Sequence, residues 1–98
     1  MRYLFLLNPT AGKRDCTAEL APAIQAAAQR AGIPPEKRKV VVTQYAGHAR
    51  ELAAEAAHTA QADGEPVRIW TAGGDGTFME AMTGVQGFAN AAVGCLPY

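Results

Sequence analysis

Gly73, Gly74 and Gly76 surround one carboxylate in the run Gly73-Gly74-Asp75-Gly76-Thr77, and Glu80 follows three residues after Thr77. Glycine lets a backbone turn sharply and lie bare against another group. Set between an apolar run ending at Ala72 and a helical segment, such a loop aims unpaired N–H groups at one point. That is an anion site, and phosphate is the usual anion. A plain strand-to-helix turn, with Thr77 as N-cap and Glu80 closing a capping box, competes with this explanation. The two are compatible, because a phosphate loop also needs a capped helix start. A turn alone, however, has little use for three glycines in four positions.

A sheet edge has to carry such a loop. Residues 67–72 read as a buried strand running straight into it. Residues 2–7 are another compact apolar run, stopped by Asn8-Pro9 because proline has no N–H for a sheet ladder. After a loop at 10–14, apolar residues at Leu20, Ile24, Ala27, Ala28 and Ala31 recur at helical spacing until Gly32, Pro34 and Pro35. Pro22 sits early in that helix, where a proline costs least, so the start is fixed only to within a turn. Residues 39–43 make a short β-branched strand and 44–48 a loop. A helix over 48–62 carries Leu52, Ala53, Ala56 and Ala60 on one side, with Gly64 beyond its end. A third helix is expected over 77–83 and a fourth strand over 91–96.

Strand and helix alternate throughout, which is the pattern of an α/β fold: three layers, α/β/α, around a parallel sheet with right-handed crossovers, Rossmann-like. Ligands of such sheets gather at the carboxyl ends of the strands. The polar and glycine-rich segments 8–14, 43–48 and 73–77 all fall there. For all three to touch one nucleotide the first strand must lie centrally, which predicts the order 2-1-3-4. The alternative order 3-2-1-4 would push the glycine loop to an outer edge. An apolar fourth strand so close to residue 98 would leave a pairing-competent sheet edge. The sequence is therefore expected to be a piece of a longer protein, or to pair with a copy of itself as a homodimer.

Composition removes several functions. The 98 residues suffice for one small domain, and alanine supplies much of the 49% hydrophobic content. Zero net charge and the lack of a long basic run exclude nucleic acid as the main partner. Cys16 and Cys95 lie far apart and in no metal-binding spacing, as expected of reduced thiols in a cytosolic protein. The apolar residues 3–7 are too few for a signal peptide or a membrane span, so the chain is expected to be soluble and cytoplasmic. Two common nucleotide motifs also fail. Gly12-Lys13 is followed by Arg14 rather than Ser or Thr, and position seven is Leu, so there is no P-loop. The first loop holds only Gly12, and Met79 stands where the dinucleotide fingerprint needs a third glycine after Gly74 and Gly76.

Four segments occur in a telling order: Asn8-Pro9-Thr10-Ala11-Gly12, then Thr43 with Gly47-His48-Ala49, then the glycine loop with Glu80, then Ala92-Val93-Gly94-Cys95-Leu96-Pro97. Together they resemble the diacylglycerol kinase catalytic domain, a family shared with sphingosine and ceramide kinases and bacterial lipid kinases. They are similar to its Asn-Pro-x-Ser/Ala-Gly loop, its Thr…Gly-His-Ala segment, its nucleotide-binding loop, and the strand before its Gly-Thr-x-Asn-Asp loop. The glycine loop is shared with NAD kinases and phosphofructokinases; the Asn-Pro and Gly-His-Ala segments narrow the resemblance to lipid kinases. There are departures. Thr83-Gly84 stands where the family usually has Asn-Gly, and the sequence stops at Tyr98, before the Gly-Thr-x-Asn-Asp loop. The family's β-rich second domain, with the acidic residue usually assigned as catalytic base, is likewise absent from it.

The resemblance implies that residues 1–98 are the N-terminal, ATP-binding part of a lipid kinase catalytic domain, with a phosphofructokinase- and NAD-kinase-like fold. The implied reaction is phosphoryl transfer from ATP to a lipid hydroxyl. Gly73, Gly74, Asp75, Gly76 and Thr77 would cradle the ATP phosphates, with Asp75 facing magnesium and acting in catalysis. Asn8, Pro9 and Gly12 would close the other side, Thr43 would contact the nucleoside, and Glu80 would steady the loop or bind the nucleotide. The lipid substrate would be held by the second domain, with peripheral membrane contact. Two alternatives stand beside this: an NAD kinase-like enzyme, and a catalytically silent nucleotide-binding or oligomerisation module. His48 is expected to serve structurally at a helix start rather than as a general base, and Trp70 to be core rather than a base-stacking surface. His58 is expected on the polar side of its helix.

Overall fold

Side chains of a strand point alternately to the two faces of its sheet, and the first strand here is apolar on both. A computed structural model describes residues 1–9 and 17–96. In it the first strand, β1 (Arg2–Leu7), is interior to a four-stranded sheet, flanked by β2 (Arg38–Val42) and β3 (Val67–Ala72), with β4 (Ala91–Cys95) outside β3. The order β2-β1-β3-β4 is the expected one, and every pairing is parallel. Leu7 stands level with Val42 on one side and Ala72 on the other, so three strands end together at one edge.

Leu4 and Leu6 of β1 point to one face with Val67 and Ile69 of β3. There they meet α2 (His48–Ala62) and α3 (Gly74–Gly84) through Ala49, Ala53, Ala57, Ala60, Ala81 and Val85. Phe5, Leu7 and Ala72 point to the other face, against Leu20 and Ile24 of α1 (Thr17–Arg30). The result is three layers, α/β/α. The row of alanines lets α2 and α3 come close to one another as well as to the sheet. At Gly84 a Cβ would lie 2.3 Å from the backbone oxygen of Arg50, so only glycine fits that crossing.

The other rim of the sheet is held by charge. The Glu65 carboxylate accepts from Arg2 Nε at 2.7 Å and from Lys37 Nζ at 2.6 Å, while Asp63 pairs with the same arginine. These ties join the start of β1, the short 3-10 turn Pro35–Lys37 before β2, and the approach to β3. The two cations hold the Glu65 carboxyl down at about 2, against an ordinary 4.5, the lysine bond contributing most. No helix among the described residues is long and apolar enough to cross a membrane.

The structure departs from the sequence expectations in several places. The first helix begins at Thr17, which puts Pro22 inside it rather than in its first turn and removes one ladder bond there. Its buried stripe is Leu20, Ile24 and Ala28, while Ala27 and Ala31 are exposed. Alanine is small enough to sit on either side of a helix, so it says little about direction. The second strand runs one residue earlier than expected, over Arg38–Val42. Most consequential for the site, the third helix starts at Gly74, three residues before Thr77.

Candidate functional site

The carboxyl edge of the sheet is assembled by hydrogen bonds that join neighbouring strand ends. The backbone N–H of Asn8 donates to Ala72 O at 2.8 Å, and that of Thr43 donates to Leu7 O at 2.8 Å. Leu96 N donates to Thr71 O at 2.7 Å, which brings the exit of β4 to the same edge. Asn8 then reaches sideways: its Nδ2 donates to Thr77 Oγ1 at 3.1 Å, bridging the exit of β1 to the first turns of α3. The first and third polar segments thus sit on one rim, as the convergence of loops required. Gly12 lies outside the described residues; Pro9, half-buried, follows Asn8 on that rim.

The glycine loop is tighter than a loop followed by a helix. Gly73 has φ +150° and Gly74 φ +83°, two successive conformations that a side chain would strain, and they swing the chain from β3 straight into α3. Gly73 therefore occupies the cap position, and Gly74, Asp75 and Gly76 form the first turn. Thr77 is not the N-cap and Glu80 closes no capping box. The Thr77 side chain is buried and its hydroxyl donates to Gly73 O at 3.4 Å while accepting from Asn8, so it braces the turn from within. Gly73, at the cap position, has no side chain with which to cap the helix start. Gly74, Asp75 and Gly76 are exposed, and the amides of a first helical turn have no partner inside their own helix.

Gly76 is the informative residue of the three. Its φ is not positive, and a Cβ built on it would meet no heavy atom of the described residues within 4 Å. Neither backbone conformation nor packing among the described residues calls for glycine there. A group approaching from outside would call for it. The Asp75 side chain, in the same exposed turn, makes no hydrogen bond or ion pair among the described residues. A carboxylate beside an anion cradle is repulsive unless a cation lies between them. No group of three or more potential metal ligands occurs among the described residues.

The remaining candidates are placed as follows. Thr43 is buried, and its hydroxyl turns inward to Leu7 O at 3.3 Å. Glu80 is half-buried and lines a shallow groove with Gly47, Arg50, Met79 and Thr83, beside the start of α2. His48 caps its own loop: its Nδ1 accepts the backbone N–H of Gln44 at 2.9 Å, so the basic nitrogen is occupied and the imidazole acts structurally. Trp70 is half-buried and lies over Gly94 on the face carrying α1. His58 is exposed, with an edge contact to Phe88. Sequence reasoning passed over Tyr45, which is exposed, stacks on the His48 ring with centroids 4.4 Å apart, and bonds Glu51 through its hydroxyl. The signal for it was slight: one aromatic in a polar loop.

A family model described as the diacylglycerol kinase catalytic domain matches residues 2–98. No curated protein matches the chain.

Proposed function

The chain belongs to the diacylglycerol kinase catalytic domain family, a domain of lipid- and kinase-type function, and from that premise we propose that it forms the ATP-binding region of a lipid kinase. The observation that carries the proposal is the first turn of α3, whose cap position is a glycine, with a second glycine at 76 that nothing among the described residues requires. Phosphoryl transfer asks a protein mainly for alignment and charge neutralisation. The amides of Gly74, Asp75 and Gly76 would bind phosphate oxygens, with the positive end of α3 behind them. Asn8 holds that turn in register with β1 through Thr77, and Gly73 supplies the bend. Thr43 would contact the nucleoside from the exit of β2. Asp75 would hold magnesium against the phosphates, where the ion offsets the negative charge that develops during transfer.

The acceptor in this proposal is a lipid hydroxyl, which entails peripheral membrane contact during turnover. The test is ATP-dependent phosphorylation of diacylglycerol by the native protein, with Asp75→Ala measured in parallel. Lipid phosphorylation that collapses in the variant supports the proposal. Equal activity in both proteins removes Asp75 from the mechanism. Phosphorylation of NAD with no phosphorylation of lipid replaces the proposed activity with an NAD kinase.

A further inference from the structure

Tyr45 occupies an unusual position. It lies two residues beyond Thr43, on the same carboxyl edge as the glycine loop, and the residue is 55% exposed. A tyrosine that served packing would bury that ring. This one is instead held in place without being covered. Its ring lies on the His48 imidazole at 4.4 Å between centroids and 16° between planes, and its hydroxyl is bonded to Glu51 of α2. The imidazole beneath it is fixed in turn by the backbone N–H of Gln44. Gly47, with φ +90°, makes the bend that returns the chain so that residues 45 and 48 can meet. One ring face is taken by the imidazole; the other makes no ring contact among the described residues.

The strand order supplies the distance. The exits of β2 and β3 are separated by β1, that is by two strand spacings or roughly 10 Å. A nucleotide whose phosphates sit on the first turn of α3 has its base extended away from them, and the direction across β1 leads to the segment after β2. Thr43, with its hydroxyl turned inward, offers the base little. A rigid, exposed aromatic offers it a flat partner, because every base has a π-face.

We infer that the Tyr45–His48 pair is the surface on which the nucleobase stacks, an assignment that rests on the nucleotide-binding function proposed above. Phosphate binding and base binding are then divided between two strand exits, α3 taking the first and the β2–α2 loop the second. Tyr45 is a specificity residue for nucleotides over bare polyphosphate.

The experiment titrates the full chain calorimetrically with ATP and, separately, with inorganic tripolyphosphate, both in magnesium buffer. The parent should bind ATP the more tightly. Tyr45→Ala should weaken ATP by roughly fivefold to a hundredfold, the range found when a stacking aromatic is truncated, and leave tripolyphosphate unaffected. Tyr45→Phe, which keeps the ring and loses only the bond to Glu51, should bind ATP nearly as the parent does. Tyr45→Ala binding ATP like the parent overturns the assignment, as does a parallel loss of both ligands, which would mark a structural role. A parent that binds the two ligands equally overturns the base contact and leaves the phosphate site standing, and this comparison holds even if Tyr45→Ala fails to fold. A parent that binds neither overturns the nucleotide site itself, and the stacking surface with it.

Discussion

Replacing Gly76 with alanine should stabilise the protein while impairing it. Gly76 lies in the first turn of α3 without a positive φ, and the added methyl would meet no atom of the described residues within 4 Å. In a helix interior alanine is favoured over glycine by about 1 kcal/mol, with a smaller gain expected in a first turn. Part of that gain comes from the unfolded chain, which loses freedom when glycine is replaced. For a domain of this size each kcal/mol moves the midpoint by about 4–8 °C, so Gly76→Ala should melt at the parent's temperature or a few degrees above it. Binding should move in the opposite direction. The methyl group would stand where phosphate oxygens approach the backbone. Losing one hydrogen bond to a charged group, worth about 1.5–3 kcal/mol, corresponds to a loss of affinity of about tenfold to a hundredfold. Differential scanning calorimetry and an ATP titration on the same preparation read both quantities. A variant that melts higher and binds ATP as well as the parent would refute the reasoning, because the glycine at 76 would then serve no ligand.

Three further outcomes follow from other features. Gly84→Ala must push a Cβ into the Arg50 carbonyl, 2.3 Å away, and should cost about 1–3 kcal/mol as the α2–α3 crossing opens; an unchanged thermal midpoint would show that the helices give way freely. Because the folded-state carboxyl of Glu65 titrates at about 2 against 4.5 when unperturbed, the stability it contributes is complete above its unfolded value and is lost as pH falls through the folded one. Melting profiles from about pH 2 to 5 should therefore slope less in Glu65→Gln than in the parent, and matching slopes would mean the ion cluster is inert. Gly94→Ala would set a Cβ 2.6 Å from Trp70 Cζ3 and displace the ring; since Trp70 is the sole tryptophan, its emission should shift, and an unaltered spectrum would contradict the close contact.

Much of this architecture could be read from the chain because each level of the sequence agreed with the next. The apolar runs ending at Leu7 and Ala72 were strands, and requiring their polar exits to meet was enough to choose between two strand orders. The sharp turn out of β3 was legible for the same reason, since adjacent glycines after an apolar run mark a backbone bend, and Gly73 and Gly74 both take positive φ. The start of α3 was misplaced because glycine counts against a helix locally, whereas here Gly74 and Gly76 are part of one. The Glu65 cluster left no local trace: its partners Arg2 and Lys37 are 63 and 28 residues distant. Tyr45 was overlooked because its importance depends on the fold bringing His48 back beneath it.

The glycine at the cap position of α3 has a consequence for motion. The amides of its leading turn have no partner within the helix, and Gly74, Asp75 and Gly76 are exposed, so this turn is open to exchange with water. A bound phosphate would complete that turn as a missing cap would. Occupancy would then be written into the backbone as slowed amide exchange at Gly74, Asp75 and Gly76, and would be transmitted along α3 to its close crossing with α2 at Gly84.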